Sequence, residues 1–83
     1  MEEVTKRIID VMVAAVLYDY SHFDIEISYE ETETGLTFMV FGDGNRSAAY
    51  QLRDRIQAQG IPAAIYYNNV IIPPVTGTEG NRC

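Results

Sequence analysis

The chain opens with a segment, from Glu3 to Tyr20, whose apolar residues have helical spacing. They recur at steps of three and four residues along one face, which predicts a helix with this inner stripe: Val4, Ile8, Val11, Met12, Ala15 and Tyr18. The opposite face is apolar as well, and a helix that is apolar on nearly all sides is normally covered on two sides. We expect a second copy of the chain to supply the second cover, with complete burial within one chain as the alternative. The predicted self-association surface is Ile9, Val13, Val16 and Leu17.

Two strands joined as a hairpin are predicted next. Residues 23–30 alternate between apolar and polar, which is typical of a strand with one buried and one solvated face. A polar turn over residues 31–35 leads to a second strand, Leu36–Phe41. In this strand Met39 and Phe41 point away from the other apolar side chains, which favours a position inside the sheet.

A second helix should follow the turn Gly42-Asp43-Gly44-Asn45. Asn45 or Ser47 can cap its start, and Gly60 suits a left-handed stop after about Gln59. Its apolar stripe is narrow, so this helix should pack on one face only. The stripe consists of Ala48 or Ala49, Leu52 and Ile56.

A second hairpin is predicted around Asn68-Asn69, two residues that tolerate positive φ. This turn would place Tyr67 opposite Val70, and Pro73 would mark the last strand as an edge. The resulting fold class is α+β, with two layers and the order helix-strand-strand-helix-strand-strand. Its four-stranded, mainly antiparallel sheet has both helices on one face. We expect one domain over residues 1–74 and a disordered polar tail over residues 75–83.

Composition excludes several classes of function. The 83 residues include 12 Asp and Glu against 6 Lys and Arg, a net charge of −6, so direct binding to nucleic acid is not expected. The longest apolar run, Val11–Tyr18, is far shorter than the ~20 residues of a membrane span. An acidic start and the single cysteine, Cys83, predict a cytoplasmic protein. With one His and one Cys, neither a metal site nor a cofactor is expected.

Acidic residues are densest in the first hairpin. This pattern is typical of a solvated strand face, or of a surface that binds a basic partner. A solvated face is the more common explanation of such a run. For function, the leading hypothesis takes the second explanation: a non-enzymatic module, most specifically an inhibitor, that binds a larger protein with a basic surface. The predicted partner-binding residues are Asp24, Glu26, Glu30, Glu31, Glu33, Met39, Phe41 and Tyr66.

Two other functions stay open. A small ligand or nucleotide could bind where a strand meets a helix start, at Gly42, Gly44, Arg46 and Ser47, although this turn lacks the Lys of a P-loop. An enzyme would have to use His22 beside Asp19 and Asp24. No nucleophile motif accompanies His22, so no catalytic residue is assigned.

Two resemblances add to this interpretation. The spacing of Ala49, Leu52, Ile56, Gly60 and Ala63, followed by Val70-Ile71-Ile72-Pro73, resembles the strand-helix-hairpin half of SPOR domains. It covers about half the chain and implies binding of a peptidoglycan glycan on the sheet, although the leading helix departs from that family. By size and charge the chain also resembles the small proteins that phages encode to block host enzymes or defence systems, including anti-CRISPR proteins.

Overall fold

The structure is a computed structural model that describes residues 3–33 and 35–73. In chain order its elements are α1 (Glu3–Asp19), β1 (Ile25–Thr32), β2 (Gly35–Gly42), α2 (Asn45–Ala58), β3 (Ala64–Tyr66) and β4 (Asn69–Ile72). The strands form one antiparallel sheet in the order β1-β2-β4-β3, and the helices pack against it. The predicted α+β class and order of elements are therefore confirmed. The predicted tail, residues 75–83, lies outside the described residues.

The core lies between the two helices and one face of the sheet. Alternate residues of β2 and β4 enter it, as the period of two in a strand requires. Helix α2 contributes the stripe that its sequence predicts, and no polar side chain is buried among the described residues. The buried side chains are Ile9, Val16, Leu36, Phe38, Val40, Ala48, Ala49, Leu52, Ile56, Val70 and Ile72.

The face of α1 that was predicted to point outward packs against the core. Ile9 and Val16 are buried, with Met12 and Val13 partly buried beside them. Ile9 and Val16 are therefore not accessible to another copy, Val13 is accessible only in part, and Leu17 is the one residue of the predicted self-association surface that is exposed. Of the predicted inner stripe only Met12 packs against the core, whereas Val4, Val11 and Tyr18 are 62, 59 and 80% exposed.

Two ion pairs accompany this rotation of α1. Lys6 Nζ lies 3.0 Å from Glu31 Oε1 in β1, and Arg55 Nη2 in α2 donates to Asp19 Oδ2 at 2.6 Å. Because both faces of α1 are apolar, burial alone does not choose between them. Lys6 and Asp19 lie on either side of the Ile9 and Val16 face, so their pairing with β1 and α2 agrees with that face pointing inward.

The second hairpin has a different register from the predicted one. Tyr66 lies opposite Asn69 and the turn is formed by Tyr67 and Asn68, with Tyr67 at φ 57°. Asn68 is held in place by β2, because its carbonyl accepts from Val40 N–H at 3.1 Å and its side-chain amide donates to the Val40 carbonyl. Strand β4 is also not the predicted edge. It lies between β2 and β3, and Pro73 follows its last paired residue.

The predicted end of α2 is confirmed at its C-terminus and wrong at its N-terminus. Gly60 has φ +81°, its N–H donates to the Gln57 carbonyl at 2.9 Å, and the predicted left-handed stop is confirmed. At the start, Gly44 is the cap and no side chain caps the helix. The prediction of a cap by Asn45 or Ser47 was wrong, since the Asn45 amide donates to the Val40 carbonyl and Ser47 shares a hydrogen bond with Tyr20.

Candidate functional site

The sheet has one face against the helices and a second face on which no described part of the chain packs. Strand pairing fixes which side chains share this second face, since residues directly opposite each other point to the same side. Glu26 lies opposite Phe41, and Ser28 lies opposite Met39. We call this surface the open sheet face. It consists of Glu26, Ser28, Glu30, Thr37, Met39, Phe41, Ala64, Tyr66, Asn69 and Ile71.

The open sheet face is acidic along one edge and apolar across its middle. Strand β1 is the edge strand, and it contributes the exposed carboxylates of Glu26 and Glu30. Beside them β2 contributes Met39, half-buried, and Phe41, 48% exposed. Tyr66, 61% exposed, lies on β3 at the far edge. Protein–protein interfaces also combine an apolar centre with polar residues at the edge, and here the charged residues lie along the β1 edge alone.

A shallow depression lies at one end of the open sheet face. It has a volume of about 210 Å³ and is lined by Asp24, Glu26, Phe41 and Gly42. This volume is below the ~300 Å³ at which small-molecule pockets begin. Its lining of two carboxylates and the Phe41 ring has the chemistry that suits the charged head and the apolar stem of a Lys or Arg side chain.

The open sheet face contains five of the eight predicted partner-binding residues, Asp24 lines the depression at its end, and two lie elsewhere. Glu31 points to the helix side of β1, where its hydrogen bond to Lys6 lowers the pKa of the Glu31 carboxyl and raises the pKa of the Lys6 ammonium. Glu33 lies in the turn after β1. Sequence reasoning did not name Ser28, Thr37 and Asn69 as site residues. Their alternation with buried neighbours was the pattern that could have found them.

Charge is segregated between the two layers of the fold. Every described Lys and Arg belongs to a helix, at Lys6, Arg7, Arg46, Arg53 and Arg55. Most carboxylates of the helices have a basic partner, since Arg7 lies 3.7 Å from Glu3, Arg53 2.9 Å from Asp54 and Arg55 2.6 Å from Asp19. The charged residues of the sheet and its turns are all acidic. No described residue forms an ion pair with Asp24, Glu26 or Glu30.

In the turn between β2 and α2, each residue of the predicted ligand site either adopts a positive φ or contacts another side chain. Gly42 and Gly44 have φ of 110° and 80°, and the Phe23 ring packs against Gly44. The Arg46 guanidinium lies 5.9 Å from the centre of the Tyr67 ring, and the Ser47 hydroxyl lies 2.6 Å from that of Tyr20. Ligand binding here stays a prediction.

The described residues do not assemble a reaction centre around His22. It is exposed in the loop between α1 and β1, and Asp19, its predicted neighbour, is bonded to Arg55. A cavity of about 60 Å³ between α1 and the sheet is much smaller than a substrate pocket. Within residues 3–33 and 35–73, no three potential metal ligands of the His, Cys, Asp and Glu types cluster together.

Neither described helix combines the length and the apolar character that a membrane crossing requires. Comparisons of the chain with protein-family models, with curated proteins and with solved structures found no match. Function therefore has to be argued from the geometry and charge of the open sheet face.

Proposed function

We propose that this protein is a non-enzymatic binding module whose open sheet face binds a basic surface of a larger protein. The observation that carries the proposal is the segregation of charge, which leaves Glu26 and Glu30 without basic neighbours on a face that contains no Lys or Arg. Complementary charge accelerates association and selects the partner. The exposed rings of Phe41 and Tyr66 supply the apolar area that holds the complex together.

The dimensions of the face suit a partner of this kind. Four strands spaced about 4.8 Å apart, the longest of eight residues, give a surface of roughly 15 by 25 Å. Such a surface is a little under half of the ~800 Å² that each protein contributes to a standard interface, so the partner would also have to contact the strand edges and loops around it. A flat face of this area fits a folded partner better than a small molecule.

An inhibitor is the most specific form of the proposal. A basic groove that serves a substrate or a nucleic acid would be blocked and neutralised by an acidic face placed across it. The resemblance in size and charge to phage-encoded inhibitors, including anti-CRISPR proteins, points in the same direction. The proposal requires no catalytic residue and no cofactor.

We also propose that the partner is met in the cytoplasm. The single cysteine of the sequence suits a reducing compartment, because it cannot form a disulfide within the chain. The acidic face would repel both the phosphate backbone of nucleic acids and the anionic surface of a bilayer. Neither is therefore proposed as a direct partner.

The two alternative functions have less support. Binding of a nucleotide or other anion at the Gly42–Ser47 turn would have to break two contacts. These are the packing of Arg46 on the Tyr67 ring and the hydrogen bond between Ser47 and Tyr20. Asp43 within the same turn would repel it. A glycan bound on the sheet, as the SPOR resemblance implies, would use Tyr66 for stacking, but the carboxylates of β1 are not explained by that function.

Reversing the charge of the open sheet face should weaken partner binding at least tenfold. The test compares the wild type with a double variant, Glu26→Lys and Glu30→Lys, as baits for a partner captured from an extract of the cells that make the protein. The captured protein is then purified and titrated against both baits in about 50 mM and about 500 mM salt. Because both side chains are exposed, the thermal unfolding curve should not change.

A second double variant, Asp10→Lys and Asp54→Lys, is the matched control. It has the same net charge, but both substitutions lie on the helices, so affinity should stay within about twofold of the wild type. Equal losses in the two variants would mean that overall charge, not this face, determines binding. A wild-type affinity that is the same at both salt concentrations would also contradict the proposal.

A further inference from the structure

The face of α1 that points away from the sheet is apolar and has the spacing of a coiled-coil seam. Its side chains recur at alternating steps of four and three residues, which is an average repeat of 3.5. No charged residue occurs between Asp10 and Asp19, so this face has no charged side chain over its second half. We call this surface the α1 seam. It consists of Val4, Ile8, Val11, Ala15 and Tyr18.

We infer that a second copy of the chain packs its own α1 against this seam, antiparallel to the first. A repeat of 3.5 residues is the spacing with which coiled coils pack one helix along another. The described part of the chain offers no such helix, because α2 already packs with its stripe in the core. A second copy supplies a helix with the same repeat.

The sizes of the side chains favour the antiparallel orientation. The seam is nearly symmetric about Val11, so a two-fold axis there places Tyr18 of one copy over Val4 of the other. Ile8 then lies near Ala15, and each large side chain meets a smaller one. A parallel pair would bring Tyr18 against Tyr18 and Ala15 against Ala15, which leaves crowding at one level and a gap at the next.

Charge favours the same orientation. The last turn of α1 contains no basic residue and ends in Asp19, at the negative end of the helix dipole. Arg7, exposed beside the seam near the other end, has only a 3.7 Å contact with Glu3. In the antiparallel pair, Arg7 of one copy approaches the negative end of the other and the face of its Tyr18 ring.

The contact area indicates a weak dimer. A helix of 17 residues is about 25 Å long, and a seam about 10 Å wide covers roughly 250 Å². This is about a third of the ~800 Å² per partner in a standard interface. The dimer should therefore form only when the protein concentration is micromolar or higher. The seam points away from the sheet, so both open sheet faces would remain accessible and the pair could bind two basic surfaces.

The inference is tested by mass measurements at increasing concentration, with sedimentation equilibrium on the full chain in low and in high salt. We expect a dimer that persists in high salt. Val11→Glu and Val11→Lys should each be monomeric, because like charges then meet at the axis, and a one-to-one mixture of the two should recover the dimer. Tyr50→Glu, a similar change on the exposed side of α2, should leave dimerisation intact. A wild type that is monomeric throughout, or a Val11→Glu variant that dimerises normally, would overturn the inference.

Orientation is tested with single cysteines in a Cys83→Ser background. Under mild oxidation, Val4→Cys mixed with Tyr18→Cys should give a cross-linked pair, while neither variant should cross-link alone. Cross-linking of Val4→Cys with itself would overturn the antiparallel arrangement. Because none of these positions belongs to the open sheet face, failure of the dimer would leave the proposed partner binding untouched.

Discussion

Replacing Gly42 with Ala should destabilise the fold by more than about 3 kcal/mol. Gly42 has φ +110°, and a Cβ there would lie 1.6 Å from the Asp24 carbonyl oxygen and 2.7 Å from its carbon. Those atoms are backbone, so relief requires β1 and β2 to separate where Ile25 pairs with Gly42. Left-handed backbone strain adds to the loss of pairing. A domain of this length has roughly 4–12 kcal/mol of stability in total, so much of the variant would be unfolded.

Gly60→Ala is the control for this substitution. Gly60 also has positive φ, at +81°, but no atom lies within 4 Å of the position of a Cβ. Its replacement should therefore cost only the strain of about 1–2 kcal/mol. The measurement is urea-induced unfolding of both variants. Equal losses of stability in the two variants would mean that the close approach of β1 to Gly42 does not add to the cost of the substitution.

Leu52→Ala should cost about 2–5 kcal/mol. Leu52 is fully buried at the middle of the α2 stripe, where it fills the space between the helices and the sheet. Its truncation removes apolar contacts and leaves a cavity that the surrounding backbone cannot close. We expect a lower urea midpoint with a nearly unchanged slope.

The same truncation at Leu17 provides the comparison. Leu17 is exposed on α1, so Leu17→Ala should cost less than about 1 kcal/mol when both variants are measured at low protein concentration. A loss at Leu17 as large as that at Leu52 would mean that the core has been placed on the wrong side of α1.

Most of the fold could be predicted because local patterns and tertiary structure agree. Gly60 ends α2 as its backbone freedom suggests, and Leu52 and Ile56 are buried as their spacing suggests. The rotation of α1 could not be predicted, because both of its faces are apolar and the choice between them depends on packing with elements that are distant in sequence. The prediction of the second turn was wrong for a similar reason, since Asn68 is hydrogen-bonded to Val40, which is far from it in sequence.

The candidate surface was predictable in part because strands alternate their side chains strictly. The error in the second hairpin moved its pairing by two residues, which leaves every side chain on the same face, so Tyr66 still belongs to the open sheet face. Glu31 was included for its charge, although its odd spacing from Glu30 already places it on the other side of β1. The segregation of bases onto the helices was already present in the predicted elements, because Lys6, Arg7, Arg46, Arg53 and Arg55 all lie within the two predicted helices.

The most direct test of the proposed binding surface is site-specific photo-cross-linking. A photoreactive residue in place of Ser28 lies at the centre of the acidic edge, opposite Met39. The same residue in place of Gln51 lies on the exposed side of α2. In an extract of the producing cells, position 28 should cross-link to one defined basic protein, this adduct should diminish at high salt, and position 51 should give none. An adduct of equal yield from position 51, or one from position 51 alone, would contradict binding through the open sheet face.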